Sequence, residues 1–365
     1  MAFKIIFVVP DLKVGGVTSI VKNISEGIAN YGYEVTVITL FNKKDLDLDK
    51  NVKIISLNIN YNLISWLFGL YNYLKIIKNI KPNVVHSHTM YSHFLTCIGA
   101  YFFKAYKLIC SEHGTYMGEL KFYKRMNLFR LLNTQADLIT NVSQASCNSY
   151  VEKGIVPETK IRTVYNGINL NHYQFCEVDR ISYRKSLNIM PKEKVIGFVG
   201  RLSKEKNLDN LIKSATLLEG SFKLLIIGTG DEEDRLKKEV DKLKMAEKIL
   251  FLGEVKDPRP YYSVFDVLVL SSNTEGLPTV ILEAIATKCI VVSTDCGGVR
   301  EIFLKGYPYL AKVNDSKQLS MKLNDVLALS RSENLLICDT NMIRLQKKFS
   351  YKSMLSKWWS IYHEL

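Results

Sequence analysis

Short apolar runs rich in valine and isoleucine alternate with helix-length segments almost from end to end of the chain. In the first half they are FKIIFVV (3–9), YEVTVIT (33–39), VKIISL (52–57), NVVHSH (83–88), KLICSE (107–112), DLITNVS (137–143) and IRTVYN (161–166). After a polar stretch at 170–193 come VIGFVG (195–200), FKLLIIG (222–228), KILFLG (248–253), DVLVLSS (266–272) and CIVVST (289–294). Runs that are apolar at successive positions are strands buried on both faces, which is how parallel sheets covered by helices read. The pattern predicts an α/β chain with two Rossmann-like, doubly wound parallel-sheet domains at 1–175 and 176–345, followed by a terminal helix at 346–365. In that helix Ser350 is placed as N-cap, Phe349 and Met354 are spaced as a hydrophobic staple, and Met354, Leu355, Trp358, Ile361 and Tyr362 form an apolar stripe.

Length agrees with two domains, because single cores stop growing at roughly 250–300 residues and this chain has 365. The opening MAFKIIFVVPDLKVGG has too short an apolar run for a signal peptide, lacks a small-residue cleavage site and reads as a buried strand. No apolar run approaches the roughly 20 residues that span a bilayer, and FLTCIGAYFF stops at Lys104. Seven cysteines without a Cys-x-x-Cys pair suit reduced core thiols, so the expected location is cytoplasmic. The net charge of +13, most one-sided in the first half, calls for an anionic partner: nucleic acid, an anionic membrane or a phosphorylated small molecule.

Open α/β sheets bind ligands at the carboxyl ends of their strands, and four such junctions carry candidate chemistry. After the first strand, Gly15 and Gly16 precede a helix, where backbone amides can approach an anion or a sugar, or the turn is merely conformational. In GFVGRLSKEKNLDNLI, Arg201 and Lys206 can clamp a diphosphate or form a solvated loop. In SSNTEGLPTVILEAIATK, Pro278 is suited to the first helical position, which leaves Glu275 in the loop and Glu283 on a mostly small or apolar helix face. A carboxylate there needs donors such as ribose or sugar hydroxyls, or else a structural lysine. The amides near Thr279 and Val280 can receive a phosphate. The fourth junction, DCGGVREI (295–302), brings Glu301 either to the same cleft or to the cap of a short helix. DLDLD (45–49) reads as a solvated loop rather than a metal site, and the histidines of HSHTMYSH (86–93) as core or cleft-edge residues. His113 follows the fifth strand at its carboxyl end and is either structural or part of a site.

These elements, with YNGIN (165–169), GRLSKEKN (200–207) and FSYKSMLSKWW near the end, resemble in order and spacing the family-4 retaining glycosyltransferases of GT-B fold. The resemblance covers essentially the whole chain and is closest to enzymes of bacterial surface-polysaccharide synthesis. It implies two domains facing across a cleft, with the terminal helix crossing back to the first. It further implies that Arg201 and Lys206 hold the diphosphate of a UDP-sugar and that Glu283 binds the ribose. Glu275 would contact the donor hexose or N-acetylhexosamine, and His113 would reach it from the other domain. Backbone around Gly276, Leu277, Thr279 and Val280 would complete the phosphate site, with the base near Glu254 and Val255. Two cations and a helix N-terminus suffice to take up the leaving-group charge, so no divalent metal or other cofactor is expected.

The family places the acceptor on the N-terminal domain. Residues 98–133 carry Lys104, Lys107, Lys121, Lys124, Arg125 and Arg130 against Glu112 and Glu119, and WLFGLYNYLKIIKNIK (66–81) adds aromatic and basic helix. Docking on an anionic inner leaflet to reach a lipid-linked saccharide is one reading; core aromatics and solubilising lysines are the other. IIGTGDEED supplies two glycines and then acids rather than a dinucleotide fingerprint, which speaks against a dehydrogenase. Nucleic acid is not expected, because strand-end glutamates would repel phosphates. A nucleotide-sugar epimerase of the same architecture is the rival reading.

Overall fold

A computed structural model of the chain describes residues 2–13, 15–42, 45–114 and 126–364. Its strands are all parallel and lie in two sheets. The first contains β1 (Lys4–Val9), β2 (Glu34–Thr39), β3 (Val52–Ser56), β4 (Val84–His88), β5 (Lys107–Ser111), β6 (Leu138–Asn141) and β7 (Ile161–Thr163), in the order β3-β2-β1-β4-β5-β6-β7. The second contains β8 (Lys194–Val199), β9 (Phe222–Ile227), β10 (Ile249–Gly253), β11 (Val267–Leu270), β12 (Ile290–Thr294) and β13 (Leu310–Ala311), in the order β10-β9-β8-β11-β12-β13. Twelve of these coincide with the apolar runs; β13 does not, because a two-residue edge strand needs no run of its own. Helices cover both faces of each sheet, so the interior strands β1, β4, β8 and β11 are almost wholly buried.

The chain divides into one unit of Met1–Gly167 with Tyr351–Leu365 and another of Ile168–Ser350. The division falls eight residues before the boundary expected at 175/176. Ile168 already pairs with the far end of the second unit, its amide donating to the Phe349 carbonyl at 3.0 Å, and Tyr173 packs edge-on against Tyr262 with ring centroids 6.2 Å apart. At the other end the helix Arg331–Lys348 runs past the expected 345/346 boundary, opened by a capping box between Ser330 and Glu333. Only the last helix, Tyr351–Glu364, joins the first unit.

That last helix buries Met354, Leu355, Trp358, Ile361 and Tyr362, the expected stripe. They share one core cluster with Ile20, Val21, Ile24 and Ile28 of the helix Gly16–Asn30 and with Phe7 of β1. The Tyr351 hydroxyl donates to the Asn23 carbonyl at 2.9 Å, and Arg162 pairs with Glu364 at 2.7 Å. Among the described residues no helix is long and apolar enough to cross a membrane.

Removing the Trp358 ring leaves a void in this cluster, and Trp358→Ala is expected to cost the first unit about 3–5 kcal/mol. Hydrogen exchange resolved by segment checks it: amides of β1 and β4 lose protection while those of β8 and β11 keep theirs.

Candidate functional site

Each sheet reverses its strand order once, between β1 and β4 and between β8 and β11. At such a switch point neighbouring crossover helices lie on opposite faces and leave a crevice beyond the strand ends. The loops after β8 and β11 are therefore where the second unit can admit a ligand. They carry Arg201 and Lys206 on one side and Glu275 on the other.

The two loops are tied together. Lys206 Nζ donates to Glu275 Oε1 at 2.6 Å, and the Ser272 hydroxyl donates to the same oxygen at 2.6 Å. Ser271 Oγ donates to the Lys206 carbonyl at 2.9 Å, and the Asn273 amide to the Glu205 carbonyl at 2.8 Å. Glu275 Oε2 has no partner among the described residues, so one carboxylate oxygen is anchored and the other is available. The Lys206 ammonium thus has its charge partly answered by Glu275. The Arg201 side chain is exposed and makes no hydrogen bond or ion pair among the described residues.

Glycine backbones hold both loops from behind. Gly297, at φ +51, lies so close to the loop after β11 that a Cβ there would stand 1.8 Å from the Glu275 carbonyl oxygen, and the Gly298 amide donates to the Gly276 carbonyl at 3.1 Å. Gly228, at φ +123, plays the same part for the loop after β8, where a Cβ would fall 2.1 Å from the Gly200 carbonyl oxygen. The Gly-Gly of DCGGVREI is thus a backbone clamp on the Glu275 loop. The short helix Val299–Ile302 behind it, which carries Glu301, is pinned by Arg344, whose guanidinium donates to the Glu301 and Ile302 carbonyls at 2.8 Å.

Pro278 occupies the N-cap, with ψ 109, rather than the first helical position; the helix is Thr279–Ala286. Its N-terminus has no side-chain cap, which leaves the first-turn amides of Thr279 and Val280 without intrahelical acceptors. Leu277 is buried beneath this turn and Gly276 is half-buried. Among the described residues Glu283 has no lysine partner. The hydroxyl of fully buried Tyr262 donates to its Oε2 at 2.5 Å, and Tyr173 and Thr279 also bond to it. Burial raises its carboxyl above the ordinary carboxylate range, against the opposing pull of those hydrogen bonds. Glu254 and Val255 follow β10, the first exposed and the second half-buried.

In the first unit Gly15 caps the helix Gly16–Asn30 with extended backbone, and a Cβ on Gly16 would meet nothing within 4 Å. Neither glycine is demanded by the fold; the space beside them is open. His113 is half-buried just beyond β5, its Nε2 3.0 Å from His88 Nδ1. Burial lowers its pKa to about 4, with Glu112 opposing and His93 assisting. The HSHTMYSH histidines are core residues with partners. His86 bonds to Tyr362 and Ser111, and His93 lies 2.8 Å from Glu112. Burial acts to lower the His93 imidazole, and Cys110 and Glu112 outweigh it, holding it up at about 9. Sequence reasoning missed Ser272, Tyr173, Tyr262 and the partner role of His88, none of which stands in a pattern that distinguishes it from other core residues.

The basic residues expected to face a membrane divide. Lys104 pairs with Asp137 at 3.1 Å, and Arg130 donates to the Gly154 and Lys153 carbonyls, so these are structural. Glu119, Lys121, Lys124 and Arg125 lie outside the described residues. The helix Leu63–Ile80 buries Gly69, Tyr73 and Ile77, yet leaves Leu63, Ile64, Leu67, Phe68 and Tyr71 more than half exposed beside exposed Lys75 and Lys78.

Two family models match consecutive parts of the chain: Glycosyltransferase Family 4 over residues 14–172 and Glycosyl transferases group 1 over residues 179–339. The protein belongs to the family-4 glycosyltransferases and has their GT-B fold. An uncharacterized glycosyltransferase of Methanocaldococcus jannaschii is 29% identical over 80% of this chain and 80% of its own. The N-acetylgalactosamine-N,N′-diacetylbacillosaminyl-diphospho-undecaprenol 4-alpha-N-acetylgalactosaminyltransferase of Campylobacter jejuni is 33% identical over 48% of this chain and 46% of its own. Among solved structures, Anabaena HepE in complex with UDP and glucose superposes with a TM-score of 0.84 at 18% identity, covering 100% of both chains. Both family models describe transferases, so the epimerase reading finds no support.

Gly297→Ala is expected to lower sugar transfer by about 10²-fold, because displacing the Glu275 backbone misplaces the carboxylate. Steady-state kinetics beside a thermal scan checks it: the loss must exceed anything explained by unfolding.

Proposed function

We propose that the protein is a retaining, metal-independent hexosyltransferase that moves a hexose or N-acetylhexosamine from a UDP-sugar to a polyprenyl-diphosphate-linked saccharide in surface-polysaccharide synthesis. The observation that carries this reading is the convergence, at the β8/β11 switch point, of Arg201, Lys206, Glu275 and the uncapped N-terminus of the helix Thr279–Ala286. Each of the three positive elements suits a diphosphate. Arg201 offers a planar fork, Lys206 a point charge already aligned by Glu275, and the helix two oriented amides. As the nucleoside diphosphate leaves, its growing charge meets groups that are already in place, so this reading asks no divalent metal to supply that charge.

Glu283, held by the tyrosines, presents a carboxylate to the ribose hydroxyls, while the available oxygen of Glu275 faces the sugar. The complex of HepE with UDP and glucose supports the donor class, and the undecaprenol-linked substrate of the Campylobacter enzyme supports the acceptor class. His113 is assigned to the donor sugar and the first unit to the acceptor. The exposed apolar face of Leu63–Ile80, with Lys75 and Lys78, is assigned to peripheral docking on the anionic inner face of the plasma membrane, where apolar side chains enter the headgroup boundary and lysines meet the surface charge.

A panel of UDP-hexoses and UDP-N-acetylhexosamines with a polyprenyl-diphosphate-linked saccharide, run in EDTA and followed by NMR of the new anomeric linkage, tests the reading. Transfer with retained configuration is expected; abolition by EDTA or an inverted linkage overturns it. Glu283→Ala is expected to raise the donor KM by about 10- to 100-fold, the loss of a hydrogen bond to a charged group, with a smaller change in kcat. Leu67→Glu with Phe68→Glu is expected to release the protein from vesicles rich in anionic lipid; co-sedimentation equal to that of the parent chain would sink the docking assignment.

A further inference from the structure

β4 ends in His86-Ser87-His88, whose alternating side chains place both imidazoles on one face, ring centroids 4.1 Å apart. His86 is locked at both nitrogens, with the Tyr362 hydroxyl 2.8 Å from Nδ1 and Ser111 Oγ 2.6 Å from Nε2; Ser111 in turn lies 2.6 Å from Thr140 Oγ1. His88 stacks between this anchored ring and His113, whose centroid is 5.3 Å away at an interplanar angle of 26°. Beyond it, Thr89 stands at φ +64, a conformation that a β-branched residue adopts only where the surroundings impose it. The position of His88 is thus set by strand, stack and turn together.

One hydrogen bond joins His88 Nδ1 to His113 Nε2, and it couples the two tautomers. Where His113 donates, His88 must carry its proton on Nε2, which is buried and has no partner among the described residues. Where His88 donates from Nδ1, Nε2 keeps only a lone pair, and His113 must carry its own proton on Nδ1. Orphaned buried N–H groups are the rarest unpaired polar groups in folded proteins, so the second arrangement is favoured. The remaining titratable neighbours of His113 are Glu112 and His93, which pair with each other at 2.8 Å.

We propose that His88 is a positioning residue that fixes the tautomer of His113, so that His113 presents Nδ1–H as a hydrogen-bond donor at the carboxyl end of β5. Its functional part rests on the assignment of His113 to the donor sugar. A neutral ring with Nδ1–H outward donates to a sugar hydroxyl or an acetamido carbonyl and has no lone pair there with which to act as a general base.

Long-range proton–nitrogen NMR of the protein labelled at its six histidines reads each ring nitrogen directly, without substrate. In the parent chain His113 and His88 are both expected to be protonated on Nδ1; an Nε2-protonated His113 overturns the proposal. His88→Asp offers only acceptors and should flip His113 to Nε2–H, lowering kcat by about 10²-fold, the loss of one preorganised donor. His88→Asn, whose amide can donate from the same place, should keep the parent tautomer and recover most of that loss. A His113 tautomer unmoved in His88→Asp refutes the positioning role. A flipped tautomer with unchanged kcat upholds it and removes His113 from the reaction instead.

Discussion

The end of β11 depends on the absence of a side chain at Gly297. There two backbones approach so closely that a methyl group on Gly297 is excluded by the Glu275 carbonyl. Everything chemical at that junction is hung on this contact: the Glu275 carboxylate, the Lys206 ammonium that it aligns, and the turn that leads into Thr279–Ala286. Gly228 imposes the same constraint on the loop after β8. Backbone packed on backbone leaves no rotamer to adjust, so both loops keep their geometry before any ligand arrives, which is what electrostatic stabilisation of a transition state requires.

Charge is distributed unevenly over this framework. Glu275 and Lys206 share theirs, the Arg201 side chain has no partner among the described residues, and Glu283 is held there by tyrosine hydroxyls rather than by a cation. Phenolic donors orient a carboxylate without neutralising it, at the cost of the raised pKa that burial brings. In the first unit, burial favours neutral forms of His86, His88 and His113, while the His93–Glu112 pair is the charged element beside them. The imidazole row runs from Tyr362 of the last helix to His113, so the terminal helix does more than cover the sheet: it anchors the first member of the row.

The fold was legible because parallel strands buried on both faces leave continuous apolar runs, from which twelve strands followed, while helical spacing alone marked the terminal stripe. The two-residue β13 left no such trace, and the domain boundary fell short because polar composition marks surface, whereas residues 168–175 belong where Ile168 and Tyr173 find partners. The aromatic helix 63–80 was ambiguous for the opposite reason. Its residues are apolar nearly all round, and composition cannot tell that Tyr73 is core while Phe68 and Tyr71 face solvent.

For the candidate site, sequence by itself singled out the candidates: Gly15, Gly16, His113, Arg201, Lys206 and Glu275 after strands, and Glu283 on the helix that follows, are local features, readable from order and spacing. Tertiary structure alone decided what each does to its neighbours. Lys206 and Glu275 are 69 residues apart, Tyr262 and Glu283 are 21 apart, and His88 and His113 are 25 apart. No periodicity relates such positions. Lys206 meets Glu275, and His88 meets His113, because a parallel sheet returns every strand in the same direction and gathers the ends at one edge, whereas Tyr262 reaches Glu283 from the helix Arg259–Val264 to the helix Thr279–Ala286.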